Sequence, residues 1–300
     1  METMRKLPEG FLIGHSNDEY TGVTVILSEK GAVCGVDVRG GAPGTHETDC
    51  LRNEKMMQQV NAVALCGGSA YGLGAVAGVM EYLKEQKIGY PVMDKIVPIV
   101  PGAVIYDLND KDYHYPTAKF GYDAAKSAKP DDVRQGKIGV GKGATVGKIL
   151  GLAGSCPSGL GIATVKAGDA TVTAVVCVNA LGDIIDAKSG AILAGAKDEN
   201  GNFVGTEKFI LDHSDLSPVS GANTTIGCIL TDAKISKQQA NKIASYAHNG
   251  LAKTISPVHT DFDGDTLFCL SSCLTETDFL ALQIAAEKAV EQAVNNAALR

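Results

Sequence analysis

Residues 223–233 read NTTIGCILTDA, and their reading sets how the rest of the chain is arranged. Thr224 to Leu230 is a run of β-branched and apolar residues, which marks a strand. It follows a polar stretch, Lys197 to Ala222, whose DENGNF and DHSDLSPVSGA segments have the composition of an exposed connector. A helix is expected from about Ser236, where Ser236-x-x-Gln239 forms a capping box. An exposed connector thus runs straight into a strand at Asn223-Thr224.

Working outward, Val23–Ser28 and Ala32–Val38 read as paired strands with Glu29-Lys30-Gly31 as their turn. Gly40–Thr45 (GGAPGT) is a glycine/proline turn, and Gln59–Leu65 fits either strand or helix. From Ser69, the positions Leu73, Val76, Met80 and Leu83 recur at helical spacing up to Gly89-Tyr90-Pro91. Val97–Tyr106 is apolar and β-rich, whereas Tyr106–Gly136 is polar and irregular. Gly139–Gly161 is the glycine-rich centre. Thr171–Ala180 and Asp183–Ala187 read as a strand pair around Leu181-Gly182. Asp265–Ser271 is a further strand, and Asp278 to about Ala297 is a long amphipathic helix. Strands and helices alternate without a regular βαβ repeat, which favours sheets covered by helices over a dinucleotide-binding fold.

Composition narrows the function classes. The 300 residues carry a formal net charge of −7 and no Lys/Arg cluster, so nucleic acid is not an expected partner. No stretch approaches the roughly 20 apolar residues of a membrane helix, and the first residues lack the apolar core of a signal peptide. The eight cysteines include no CxxC pair, so they read as reduced core thiols of a cytoplasmic protein. No metal and no cofactor are expected.

Three segments invite chemistry. In Asn223-Thr224-Thr225, an ordinary turn competes with a nucleophile. A threonine hydroxyl becomes useful when a base is within reach, and a free α-amine on the same residue is such a base. Its pKa of roughly 7.7 to 8.0 leaves much of it neutral near physiological pH. A chain creates that amine internally only by cutting the bond before the threonine. His259-Thr260-Asp261-Phe262-Asp263-Gly264-Asp265 looks like a calcium loop at first sight. Counted from Asp261, however, Thr266 and Ser272 stand where an EF-hand needs glycine and glutamate. Asp263 and Asp265 are left either as a capped turn or as groups that orient a nearby amine or hydroxyl. Gly139–Lys148 (GVGKGATVGK) fails the phosphate-loop pattern, because Ile149 follows Lys148, and it fails GxGxxG as well. Gly67-Gly68-Ser69-Ala70-Tyr71-Gly72-Leu73 opens a helix, as an anion site or as simple close packing.

Taken in order, TGVTVIL, VDVRGGAPGTHETD, LCGGSAYGL, GVGKGATVGK, GLGIAT, VCVNALGD, NTTIGCILTDA and HTDFDGDTLF span most of the chain. This set resembles the self-processing peptidases that include D-aminopeptidases, β-peptidyl aminopeptidases and nylon-oligomer endohydrolases. The resemblance implies an α/β fold of the N-terminal-nucleophile type, an αββα sandwich of two stacked sheets flanked by helices. It implies one domain, 1–300, cut into 1–223 and 224–300 and assembled into homotetramers of processed protomers. Thr224 matches the nucleophile and Asn223 the residue before the scissile bond. Asn179 matches the asparagine that stabilises the oxyanion, Asp263 and Asp265 the acidic pair beside the nucleophile's amine and hydroxyl. Lys148 matches a lysine near the nucleophile, and Tyr71 a tyrosine lining the site. The aminopeptidases typically carry serine as nucleophile and a serine–glutamate pair, so Asn-Thr and Asp-Gly-Asp look more like the nylon-oligomer branch. The expected substrate is accordingly a small peptide or an amide oligomer of ω-amino-acid type. An aminopeptidase, an acyltransferase of the ornithine acetyltransferase type and a non-catalytic small-molecule binding protein are the alternatives.

Overall fold

The computed structural model describes residues 6–108, 113–213 and 222–298. Leu12–Asn17 (β1) and Gly22–Val38 (β2) form a hairpin, its turn fixed by Asp18, whose carboxylate accepts the Tyr20 and Thr21 N–H groups at 2.8 Å. β2 is a single strand of 17 residues, so the expected pairing of its two halves with each other does not occur. Glu29-Lys30-Gly31 is instead a bulge, where the register to Gln59–Cys66 (β4) slips between Leu27 and Ala32. Gly31, at φ +81°, allows the extra residues to loop out without ending the strand. Each half finds a different neighbour. The first lies between β1 and β4, and the second pairs with Thr266–Thr275 (β16).

The remaining strands follow in chain order. Thr45–His46 (β3) sits at the sheet edge, Tyr90–Val92 (β5) and Lys95–Val97 (β6) form a separate hairpin, and Gly102–Val104 (β7) runs parallel to β4. Thr145–Val146 (β8) pairs Cys156–Pro157 (β9). Leu160–Ala167 (β10), Ala170–Asn179 (β11) and Thr224–Ala233 (β14) are antiparallel neighbours. Asp183–Ile185 (β12) pairs Ile192–Ala194 (β13) and Ile255–Ser256 (β15), not β11. Both edges of β11 are already taken by β10 and β14, so the expected pair around Leu181-Gly182 cannot form. The large sheet has the order β10-β11-β14-β16-β2-β4-β7-β3, with β1 beside β2.

Helices cover both outer faces. Ser69–Gly72 (α1) and Ala75–Glu85 (α2) are separate, because the N–H groups of Leu73 and Gly74 bond three residues back and tighten the turn between them. Ala118–Ser127 (α3) lies inside the stretch expected to be irregular. Its buried face is Gly121, Ala124 and Ala125, too small to show as an apolar stripe. Thr206–Asp212 (α4) interrupts the expected connector, and residues 214–221 of that connector lie outside the described residues. Lys237–Thr254 (α5) carries the expected capping box at Ser236 and Gln239, and Asp278 caps Phe279–Ala297 (α6).

Alternation along the strands builds the layers. Val172, Ala174 and Val176 of β11 face α5 and α6, together with Ile229 and Leu267. Val175 and Cys177 face the other way, and with Ile226, Phe268 and Leu270 they meet Ile13, Ile26 and Leu65 from the β1–β2–β4 half. Val23, Val25 and Ala64 then point out to α2 and α3. The result is an αββα sandwich whose two sheets are halves of one network, joined through the bulged β2. Among the described residues no helix is long and apolar enough to cross a membrane.

One pairing places the site. β14 and β16 are parallel, with α5 as their crossover, so both begin at the same end of the sandwich. Antiparallel β11 ends there, opposite Thr224.

Candidate active site

Three strand ends therefore converge. Asn179 closes β11, Thr224 opens β14, and Asp265 immediately precedes β16. Asn179 and Thr224 are partners across the sheet, and Asn223 bridges Asp263 on the other side. Asn179, Asn223, Thr224, Asp263, Asp265 and Lys148 are all buried.

The Asn223 carbonyl oxygen is the centre of the arrangement. It accepts the Gly264 backbone N–H at 2.9 Å and the Thr224 Oγ1 hydroxyl. Gly264 has to be glycine here, since a Cβ would stand 2.8 Å from Thr224 Oγ1 and 2.7 Å from the Ala42 carbonyl. The Gly40–Thr45 turn supports this loop from below, the Ala42 N–H donating to the Asp263 carbonyl at 2.9 Å. A Cβ on Gly40 would come within 2.0 Å of that same oxygen.

Lys148 reaches in from the glycine-rich centre. Its ammonium donates to Asn179 O, Asn179 Oδ1 and Ala222 O, each at 2.8 Å. Burial pushes its pKa down to about 7, with the nearby Asp263 carboxylate opposing the drop. Asn179 in turn donates through Nδ2 to Tyr106 O at 2.9 Å and Ala222 O at 3.3 Å, and accepts the Thr145 N–H at 3.1 Å through Oδ1. Lysine and asparagine together hold the carbonyl of Ala222, one residue before the junction.

The two aspartates stand beside the junction, but their hydrogen bonds go elsewhere than to Thr224. Asp265 Oδ1 accepts the Thr225 N–H at 2.6 Å, and its Oδ2 accepts His259 Nδ1 at 2.8 Å and the His259 N–H at 3.1 Å. Asp263 accepts the Thr260 hydroxyl at 2.6 Å and the Thr260 N–H at 3.0 Å through Oδ2. Burial raises the Asp263 pKa, and the neighbouring Asp265 charge raises it further. The expectation that this pair stands beside the nucleophile's own amine and hydroxyl concerns the cut chain; in the continuous chain Thr224 has no free amine. Asp265 holds the residue after Thr224, and Asp263 shapes its own loop.

Tyr71 stands apart from this network. It is exposed on α1, stacked on Tyr115 with ring centroids 5.0 Å apart and edge-on to Tyr113 at 6.5 Å. Asp107 was not anticipated from sequence. It is buried, accepts the Gly68 N–H at 2.5 Å, and has its pKa pushed up to about 6 by burial. A single acid in an apolar stretch carries no spacing signal. Gly264 and His259 lie within the His259–Asp265 segment, whose spacing signal comes from its carboxylates alone.

The Gly264 N–H and the Thr224 hydroxyl meet at the Asn223 carbonyl, and the Lys148 ammonium holds the carbonyl one residue before it. The sequence model of peptidase family S58 matches residues 9–300. The chain belongs to peptidase family S58. An uncharacterized aminopeptidase of Mycobacterium leprae is 43% identical over 265 residues, covering 85% of this chain and 72% of its own length. A 6-aminohexanoate-oligomer endohydrolase of Kocuria sp. is 34% identical over 281 residues, 90% of this chain and 75% of that protein. In fold, this S58 chain resembles the L-aminopeptidase D-Ala-esterase/amidase of Ochrobactrum anthropi, a variant of the Ntn-hydrolase fold. The TM-score is 0.70 at 18% identity, over 98% of this chain and 85% of the other. As an S58 member the protein is a peptidase or amidohydrolase with the Ntn-hydrolase fold.

Proposed function

We propose that the chain is the precursor of an amide hydrolase that cuts itself between Asn223 and Thr224 and then uses Thr224 as its nucleophile. The observation that carries this reading is the Asn223 carbonyl oxygen, which receives the Gly264 N–H and the Thr224 hydroxyl together. A hydrogen bond from a fixed backbone donor stabilises negative charge developing on that oxygen. Thr224 Oγ1 attacks the Asn223 carbonyl carbon, the C–N bond breaks, and the Thr224 nitrogen leaves as an amine after taking up a proton. Water then hydrolyses the Asn223–Thr224 ester, which gives the Asn223 carboxylate and restores the hydroxyl. The pieces 1–223 and 224–300 stay together because β14 is paired on both sides, and processed protomers assemble as a homotetramer.

In the mature enzyme the hydroxyl attacks a substrate amide, and the Thr224 amine shuttles the proton. With Asn223 released, the Gly264 N–H is available to the substrate's oxyanion, beside Asn179. The substrate class is an amide oligomer of ω-amino-acid type. Two facts support it: relatives named 6-aminohexanoate-oligomer endohydrolase match 86–90% of the chain, and the Asp263 and Asp265 carboxylates are already engaged by protein groups. A second reading, removal of single N-terminal residues, is favoured by the name aminopeptidase on relatives at 43–44% identity. Eight free thiols fit a reducing, cytoplasmic setting.

The test is a denaturing gel with intact mass. The purified protein should give Met1–Asn223 and Thr224–Arg300, and Thr224→Ala should remain one inactive chain. Cleavage of Thr224→Ala at the same bond sinks the proposal.

A further inference from the structure

His259 is a buried-side neighbour of the junction whose role goes beyond its place in the acidic cluster. Its backbone is left-handed, at φ +58°, a conformation in which a non-glycine residue persists only when its surroundings hold it there. What holds it is Asp265. Two of the three donors on that carboxylate, the His259 N–H at 3.1 Å and Nδ1 at 2.8 Å, come from this one residue, and both go to Oδ2. The carboxylate partner assigns the Nδ1–H tautomer, because a carboxylate oxygen only accepts. Nε2 is buried without a hydrogen-bond partner, and the ring stands edge-on against His248 with centroids 4.8 Å apart. The imidazole is therefore clamped on one side and packed on the other.

We infer that His259 is a positioning residue for the nucleophile. By fixing Asp265 Oδ2, it keeps Oδ1 on the Thr225 N–H at 2.6 Å, and this sets the backbone of the residue that follows Thr224. Thr225 also pairs with Val178 in β11, so its N–H side is the one left to the carboxylate to define. Released from His259, the carboxylate is free to swing about its side-chain torsions, and Thr224 Oγ1 loses its fixed approach to the carbonyl. Misplacement on the order of 1 Å near the chemistry is costly in rate. The inference rests on Thr224 being the nucleophile, and the experiment separates the two.

The decisive comparison is His259→Asn against His259→Gly. Asparagine tolerates the left-handed backbone and carries an amide N–H near the position of Nδ1. Glycine keeps the backbone conformation without strain and removes the side-chain donor while leaving the backbone N–H. Self-cleavage and steady-state kinetics on a soluble amide are measured for both, alongside Thr224→Ala. His259→Asn should process and turn over within about three-fold of wild type. His259→Gly should lose at least about ten-fold in kcat and in processing rate with KM within about two-fold, as expected for lost orientation of the reacting group. Should His259→Gly not fold, His259→Ala, which also lacks the side-chain donor, takes its place with the same two outcomes. Wild-type kcat in the variant without the side-chain donor, or a loss confined to KM, overturns the inference. Turnover by Thr224→Ala instead overturns the nucleophile on which it rests.

Discussion

The Gly264 N–H points at the Asn223 carbonyl oxygen from 2.9 Å, across two segments 41 positions apart in sequence (264 − 223). It is the parallel pairing of β14 and β16 that brings them together. Because any side chain at 264 would crowd Thr224 Oγ1, Gly264→Ala should leave β14 and β16 in place while displacing the hydroxyl. Self-cleavage is expected to slow at least about ten-fold, since a misplacement on the order of 1 Å of a reacting group can cost about 100-fold. A time course of precursor on a denaturing gel reads this directly. Unchanged processing would show that the hydroxyl does not work from where it stands.

The Asn179 side chain makes four hydrogen bonds, donating to Ala222 O beside the junction and to Tyr106 O and accepting from the Thr145 N–H and Lys148. Asn179→Ala leaves a buried ammonium with one acceptor fewer and the Thr145 N–H without its side-chain partner. Stability should drop by about 1 to 3 kcal/mol. Turnover should drop by roughly 10- to 1000-fold if the amide also serves the oxyanion. Urea denaturation and kinetics on the folded fraction separate the two effects, and full activity at reduced stability would confine Asn179 to a structural part.

The order of the outer elements was open to reading from local pattern alone. The Ser236 capping box, the strand from Thr224 and the helix after Asp278 are each set by residues within a turn of one another. Partnership between strands was harder, because it is decided across the whole fold. Nothing near Glu29-Lys30-Gly31 says that Val33–Val38 will pair with β16 instead of folding back on Val23–Ser28. α3 escaped because Gly121, Ala124 and Ala125 bury little area and leave no stripe. At the candidate site, residues could be named from the sequence, but their hydrogen-bond partners could not. Asp265 was expected on Thr224 and lies on Thr225 and His259, since register fixes which N–H faces it. Asp107 gave no signal, as its acceptor role depends on the Gly68 N–H, 39 positions away (107 − 68).

Lys148 makes a pH prediction with a definite sign. Its pKa falls from 10.5 unfolded to about 7 folded. Between those values the unfolded chain holds a proton that the folded chain has lost, so this residue's contribution to stability rises with pH. It is present above 10.5 and is lost as pH falls through about 7. The slope is at most about 1.4 kcal/mol per pH unit. The comparison should be made in the Thr224→Ala background, so that one continuous chain unfolds, between about pH 7 and 9; the thiols, with an unfolded pKa of 9.0, begin to titrate within this window but are common to both chains and cancel in the difference. The stability difference between Thr224→Ala and Thr224→Ala/Lys148→Met should change in favour of lysine as pH rises. A difference that is flat with pH would mean that Lys148 stays protonated through neutrality.

The substrate can be decided by what a free amine does for the rate. An enzyme that removes single N-terminal residues needs a carboxylate to receive the substrate's ammonium. Asp263 and Asp265 are occupied by Thr260, Thr225 and His259, whereas Asp107 takes the Gly68 N–H on Oδ1 and, among the described residues, has no hydrogen-bond partner on Oδ2. A methylene chain asks instead for apolar contact, worth about 0.8 kcal/mol for each buried CH₂. The exposed stack of Tyr71 on Tyr115 is a surface of that kind. Initial rates should therefore be compared on a linear aminohexanoate oligomer, on the same oligomer with its amine blocked, and on simple aminoacyl anilides. The two oligomers are expected to be cut at rates within about three-fold of each other and both faster than the anilides, and Tyr71→Ala should raise KM for the oligomers by about ten-fold, the equivalent of about 1.4 kcal/mol of lost binding. If blocking the amine abolishes cleavage and the anilides are the best substrates, the enzyme is an aminopeptidase, and the carboxylate that receives the ammonium has to be sought by testing Asp107→Asn first.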